Sequence, residues 1–545
     1  MAPRSLHESS LTGSWALLRF TLRRDRLRLP IWAASIAAMF AYAAFGLTGV
    51  YPTAADRALR AALMANPAGV MLSGPGYGTE PVHGVVSYTL GAMIANEMVL
   101  SLTVAVALMS IQLVIRHTRA EEEAGRTDLV RAGVVGRHAP AAAALLDALV
   151  ANAVIALLSG VTLISAGLST TDSLAVGIGI GVTGLVFASI AAVTAQVTEH
   201  ARSAAGMAYA VLGATFVVRA LGDVARLHGS ALSWFSPIAW QQQMRPFVDL
   251  RWWPLVPSLA LIALAITGAY ALASRRDTAA GLLPARSGRP EAAASLSTPA
   301  ALAVRQQYSS VIAWGVGLFL MAAATGSFMD SMGSMISENP TIEKVFAGGS
   351  AADLTDSLLA YMVRFLALGV CAFAVVSFQR LATEETAGRA EPILATAVSR
   401  WQWLGRSGLA VTALATVVLL VVSGLGLGLS AGVVLGDLSL VPALVGASLT
   451  FVPAVAVVVA VTAVLYGVGP RAVGLAWVVV AFILFTGMFG RLLALPGWLV
   501  NLSPFEATPA TPSADFNVIP LVLMVAVAVA LVAVAARLFR NRDLA

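Results

Sequence analysis

Long apolar runs alternate along this chain with short stretches that collect its arginines and carboxylates. A run of about 20 apolar residues crosses the hydrocarbon core of a bilayer as a helix, and the pattern predicts about 12 such spans. In the first half they are Leu29 to Val50, Tyr88 to Ile115, Ala141 to Leu168, Leu174 to Val197, Ala205 to Leu221, and Pro254 to Ala273. In the second half they are Val311 to Met329, Leu358 to Phe378, Leu409 to Leu435, Val441 to Tyr466, Leu475 to Leu495, and Val518 to Ala536. Ahead of the first run, Trp15, Leu17, Leu18, Phe20 and Leu22 mix with Arg19, Arg23 and Arg24. That mixture predicts a helix over about residues 14–28 lying in the membrane interface, the duller reading being a polar tail. Long loops follow the first run of each half, near residues 51–87 and 330–357.

Arginine placement sets the expected orientation. With the N-terminus in the cytosol, the inner segments hold Arg19, Arg23, Arg24, Arg26, Arg28, the loop from Arg116 to Arg137, Arg202, Arg275, Arg276, Arg286, Arg289 and Arg305. They also hold Arg380, Arg389, Arg400, Arg406, Arg471, Arg537, Arg540 and Arg542. Roughly 25 of the 34 basic residues then lie inside, the bias expected of a cytoplasmic face, and an even span number returns both termini to the cytosol. The expected location is the cell (inner or plasma) membrane.

Composition agrees. The 545 residues are 58% hydrophobic and 11% charged, too few polar groups to cover a water-soluble protein of this size, and the mean hydropathy is +0.83. The net charge of +6 sits at the ends of apolar runs rather than on one polar domain, so no nucleic-acid partner is expected. The single cysteine, Cys371, lies in an apolar run and reads as a buried core residue. No small-residue cleavage site follows the first run, so no cleaved signal peptide is expected.

The two halves match where the chain is polar. Glu121-Glu122-Glu123-Ala124-Gly125-Arg126, with Arg137 beyond it, aligns without a gap to Glu384-Glu385-Thr386-Ala387-Gly388-Arg389, with Arg400 beyond it. Asp128 falls opposite Glu391. Ser236-Pro237 and Arg276-Asp277 around the sixth run correspond to Ser503-Pro504 and Arg542-Asp543 around the twelfth. Similar hydrophobicity arises by chance; a shared acidic pair, Ala-Gly-Arg and a distal arginine do not. The expected fold class is therefore an all-α polytopic membrane protein of two parallel six-helix repeats. A pseudo-two-fold axis along the membrane normal relates them, with a substrate cavity on the axis. The halves are residues 1–273 and 308–545, joined by a cytosolic linker, 274–307, rich in Ala, Ser, Pro and Arg.

The loops after the second and eighth runs mix acids, arginines and helix formers. Glu121 to Glu123 suit the first turn of a short helix, where negative charge meets the helix dipole. Gly125 and Gly388 permit a bend. Such a loop is either a docking surface or merely solvated, and its duplication favours docking.

Glu384 to Arg400 resembles the segment after the second helix of type-2 ABC exporter permeases, whose pattern runs roughly E-x-x-x-G-T-x-E-x-L-x-x-T-P-x-S-R. Arg126 and Arg389 replace the usual Thr, and Ala397 the usual Pro. The fused two-half architecture is similar to actinobacterial permeases that export polyketide or tetronasin-type antibiotics. The resemblance implies that segments 116–140 and 379–403 are coupling helices seated on a cytosolic ABC ATPase. Glu121, Glu122, Gly125, Arg126, Arg137, Glu384, Glu385, Gly388, Arg389 and Arg400 would form the docking sites, with two ATPase copies per chain. It further implies antibiotic or multidrug efflux, hence drug resistance, with apolar or amphipathic small molecules as substrate.

No Gly-Lys phosphate-binding loop is present; the only lysine, Lys344, follows Glu343 in an outer loop. The chain is thus expected to be no enzyme and to hold no cofactor, with ATP and Mg on the partner. The six histidines show no metal-ligand spacing, so no metal is expected.

Charges inside spans are candidate functional sites. Arg219 lies about 25 Å beyond Arg202, and Arg491 about 30 Å beyond Arg471, at 1.5 Å rise per residue. With Glu97 and Arg364 they fall in the outer third, to snorkel at the interface or to line an outer gate beside Ser236, Pro237, Ser503 and Pro504. Asp147, in the inner part of the third run, reads as a polar helix contact. Gly177, Gly179, Gly181 and Gly184, like Gly424, Gly426 and Gly428, read as close helix contacts. The rival to an ATP-driven permease is an ion-coupled secondary multidrug transporter, which wants a relay of acids near the midplane.

Overall fold

The computed structural model describes residues 10–543 except 66, 83, 84, 87, 227, 278, 279, 284–290, 292, 328, 330–350, 490–495, 514 and 515. Among these residues, 11 helices are long and apolar enough to cross a membrane, and a shorter apolar helix covers Ala472–Gly487. The chain is an all-α polytopic membrane protein; the one strand pairing among the described residues is a two-residue hairpin, Pro81–Val82 with Val85–Val86. The described chain divides into two compact units, Met1–Gly288 and Arg289–Ala545.

The first unit opens with a helix over Ser14–Arg24. It buries Leu18 and Thr21 against the helix Ala139–Ser165 and leaves Trp15 and Phe20 exposed. Spans follow at Arg28–Gly49, Val99–Glu123, Ala139–Ser165, Thr170–Val197, Ala201–Ala225 and Leu255–Ser274. The span at Thr170–Val197 is the hub, with 72% of its apolar window buried, whereas Leu255–Ser274 has 11% and leaves most of its apolar surface uncovered. Glycine makes the hub possible. A Cβ on Gly177 would stand 2.2 Å from Ala156 O, and one on Gly181 2.9 Å from Asn152 O, so only glycine lets these helices approach so closely.

The second predicted run is interrupted. A helix over Leu90–Glu97, capped by the Thr89 hydroxyl, stops at Met98 before Val99–His117 begins. The break holds Glu97 against Arg60, with Nε and Nη2 of the arginine 2.8 and 2.9 Å from the carboxylate oxygens.

The second unit places spans at Pro299–Gly326, Thr355–Thr386, Arg400–Leu435, Leu440–Val468 and Val518–Asn541. Two depart from regular helix. A π-helical stretch, Trp403–Ala410, leads into Val411–Leu435. The fourth breaks at Thr450 and Phe451, because Pro453 has no N–H to give and begins the new helix Val452–Val468. Gly424, Gly426 and Gly428 again sit where a Cβ would come within 2.8 Å of a neighbouring helix. Cys371 lies in the core of this unit, fully buried.

Candidate functional site

The two acidic segments share one construction. In the first unit a short helix, Arg119–Glu123, carries Glu121 and Glu122 in its first turn. Gly125 then turns the chain with φ +69°, and a second short helix, Arg126–Arg131, follows with Asp128 in its first turn. In the second unit the corresponding glutamates instead close the long helix Ala351–Thr386. The helix dipole is unfavourable to acids there, and arginines offset it. Gly388 turns with φ +71°, and Ala390–Leu394 follows with Glu391 in its first turn. A Cβ at Gly125 or Gly388 would touch nothing within 4 Å, so the left-handed backbone alone calls for glycine.

Each segment is held by the same three arginine contacts. The first glutamate pairs with the arginine five residues on: Glu121 with Arg126 at 2.6 Å, Glu384 with Arg389 at 2.8 Å. Hydrogen bonding to these carboxylates raises both guanidinium pKa values. The second glutamate pairs with an arginine just beyond the last span of its unit. Arg276 Nη2 lies 2.9 Å from Glu122, and Arg542 grips Glu385 with two donors at 2.6 and 2.7 Å. The distal arginine donates to carbonyls at the end of that same span. Arg137 bonds Ala273 O and Arg276 O, both at 2.8 Å, and Arg400 bonds Phe539 O at 2.9 Å, Arg540 O at 3.1 Å and Arg542 O at 2.5 Å. A cation there satisfies carbonyls that the helix end leaves open.

Glu122 and Glu385 are therefore not free docking charges. Glu385 is 2% exposed and works as an internal fastener. What the segments present outward is the turn itself. Ala124, Gly125, Arg126 and Leu129 are exposed in the first, and Ala387, Gly388, Arg389 and Pro392 in the second. Arg24 of the leading helix also reaches Glu121, at 2.6 Å, and the backbone N–H groups of Gly136 and His138 donate to Thr12 O and Ser10 O. The leading segment is thus bound to the first acidic segment.

The residues expected at the outer interface are mostly enclosed. Arg219 is fully buried, not snorkelling. It pairs with Asp223 at 3.2 Å and donates to Met71 O at 2.5 Å, while Asp223 accepts from Ser233 at 2.6 Å. Glu97 is taken by Arg60. Arg364 pairs with Glu506 at 2.6 Å, two residues after Pro504, in a mostly apolar hollow lined by Tyr361, Phe365, Ile483 and Phe505. Ser236 and Ser503 are buried, each before its proline. Nearby, burial pushes the Tyr77 phenol up to about 12, so it stays neutral within reach of Gln243 Oε1 and His228 O. Arg491 and Lys344 lie outside the described residues.

In the sequence Arg276 and Arg542 stand out as repeat markers and topology signals, not as fasteners, since nothing local shows a partner about 150 residues away. Sequence reading also missed a buried cluster of Asp25, His117 and Asp147, which no spacing announces.

The family described as multidrug efflux system permease Rv1217c, C-terminal domain, matches residues 17–275 and 296–540. This chain belongs to that family. The multidrug efflux system permease protein Rv1217c of Mycobacterium tuberculosis (strain H37Rv) is 37% identical over 541 residues, which cover 98% of this chain and 96% of that protein. Membership in the Rv1217c-like permeases makes this chain a multi-pass membrane transport permease, and each matched segment contains one acidic turn with its distal arginine, Arg137 or Arg400, while Arg276 and Arg542 lie just beyond the matched residues.

Proposed function

We propose that this chain is the transmembrane permease of an ABC-2 type exporter, expelling apolar or amphipathic small molecules on ATP hydrolysed by a separate subunit. The observation that carries the reading is the duplicated fastening of an exposed turn to the end of a span. A turn tied through Glu122 and Arg276, or Glu385 and Arg542, moves with its helices when a partner pushes it. Two such turns suit two ATPase copies, with ATP and Mg held by them. The arginine-rich helix ends then face the cytosol with both termini. The similarity to a protein named as a multidrug efflux permease supports a drug-like substrate and export, and an antibiotic of the polyketide type falls within that class.

The test is transport in inverted vesicles with the partner ATPase co-expressed. ATP should drive uptake of an amphipathic dye, with vanadate blocking it and a protonophore not. Leu129→Asp, on the exposed first turn, should cut both uptake and ATPase co-purification. Uptake without any ATPase, abolished by the protonophore, would make the chain a secondary transporter instead.

A further inference from the structure

We propose that Asp25, His117 and Asp147 form a binding site for a divalent transition-metal ion, which pins the leading helix to the second and third spans of the first unit. Asp25 closes the helix Ser14–Arg24, His117 ends Val99–His117, and Asp147 stands on Ala139–Ser165. One ligand atom from each lies within 4.8 Å of the others, and all three side chains are buried.

The convergence falls on a single ring nitrogen. His117 Nε2 meets Asp25 Oδ2 in a short contact and stands 3.6 Å from Asp147 Oδ2. An imidazolium offers one N–H at that nitrogen and so satisfies one carboxylate. Asp147 is fully buried, and the one hydroxyl beside its carboxylate, that of Thr21, can serve a single oxygen only by giving up Leu18 O, so at least one oxygen stays without a hydrogen bond. A buried carboxylate left so is costly. A cation between the three atoms would take both carboxylates and a neutral imidazole together. Ligands about 2.0–2.2 Å from one tetrahedral ion stand about 3.3–3.6 Å apart; the Asp147 to His117 separation already matches, and Asp25 has to draw back from its short contact with His117 to admit the ion.

The donor set also selects the ion. One imidazole and two carboxylates suit zinc, cobalt or manganese, whereas magnesium and calcium prefer oxygen alone. Three protein ligands leave a fourth position for water. Arg116 occupies the other oxygen of Asp25, the outer contact that orients a ligating carboxylate. A route exists, because a surface hollow lined by Leu17, Thr21, Arg24 and Glu121 reaches His117.

The experiment uses the purified full chain in detergent, stripped with chelator and reloaded with zinc or cobalt. One zinc per chain and a visible tetrahedral cobalt spectrum are expected, with a rise in melting temperature on loading. Asp147→Asn should abolish both binding and the shift. His117→Cys should keep binding and add a sulfur-to-cobalt charge-transfer band, which a merely structural histidine would not do. Absence of a cobalt spectrum in the wild-type chain, or a spectrum unchanged by Asp147→Asn, overturns the proposal and leaves an imidazolium between two acids. The wild-type spectrum decides even if a variant fails to fold.

Discussion

Glu384 and Glu385 are neighbours with different jobs. Glu384 lies at the surface with Arg389, and Glu384→Gln should cost only a few tenths of a kcal/mol, as exposed ion pairs do. Glu385 is buried against Arg542, so Glu385→Gln strands a partly buried guanidinium and should cost about 2 kcal/mol. Thermal unfolding of the two variants, with protease cleavage inside residues 386–400, measures the difference; equal effects would refute the assignment. Gly388→Ala forces an ordinary side chain into a left-handed backbone and should cost about 1–2 kcal/mol with no steric clash to relieve. At this scale the sequence displays the repeated Glu-Glu and Gly-Arg but not what they grip. Periodicity reports only neighbours on one element, and Arg542 is 157 residues from Glu385. Arg219 reads as a snorkelling residue because the Met71 carbonyl that encloses it is 148 residues away, although its partner Asp223, one turn on in the same helix, stands in plain view in the sequence.

The elements themselves are more legible, because each is written in its own run of residues. Apolar length alone locates the spans, since lipid demands that every backbone group bond within the helix. Interruptions are harder to read. Met98 ends one helix and starts another without proline or glycine, beside the pair of Arg60 with Glu97, whereas the break before Pro453 has a visible cause. The glycine cluster of Thr170–Val197 reads correctly as packing. Gly177→Ala should therefore destabilise by about 1–3 kcal/mol through its clash with Ala156 O. Gly213→Ala, with nothing within 4 Å, should be neutral or slightly stabilising. Melting in detergent compares the two; a harmless Gly177→Ala would place the flexibility of the hub, not its closeness, behind the glycine.

For the whole molecule, what matters is which end of the helices the acidic turns occupy and what meets them there. The proposed orientation, argued from arginine bias, puts them in the cytosol, and the fasteners tie each turn to its own bundle. The sole cysteine, Cys371, is fully buried, so a cysteine introduced elsewhere reports without background. The most direct measurement places Ala124→Cys and Ala387→Cys on the exposed turns, labels them with an impermeant maleimide, and then cross-links them to the co-expressed ATPase. Labelling in inverted vesicles but not in intact cells, and cross-links from both positions, are the expected result. Labelling from outside intact cells, or turns that never cross-link to an ATPase during transport, would contradict the account.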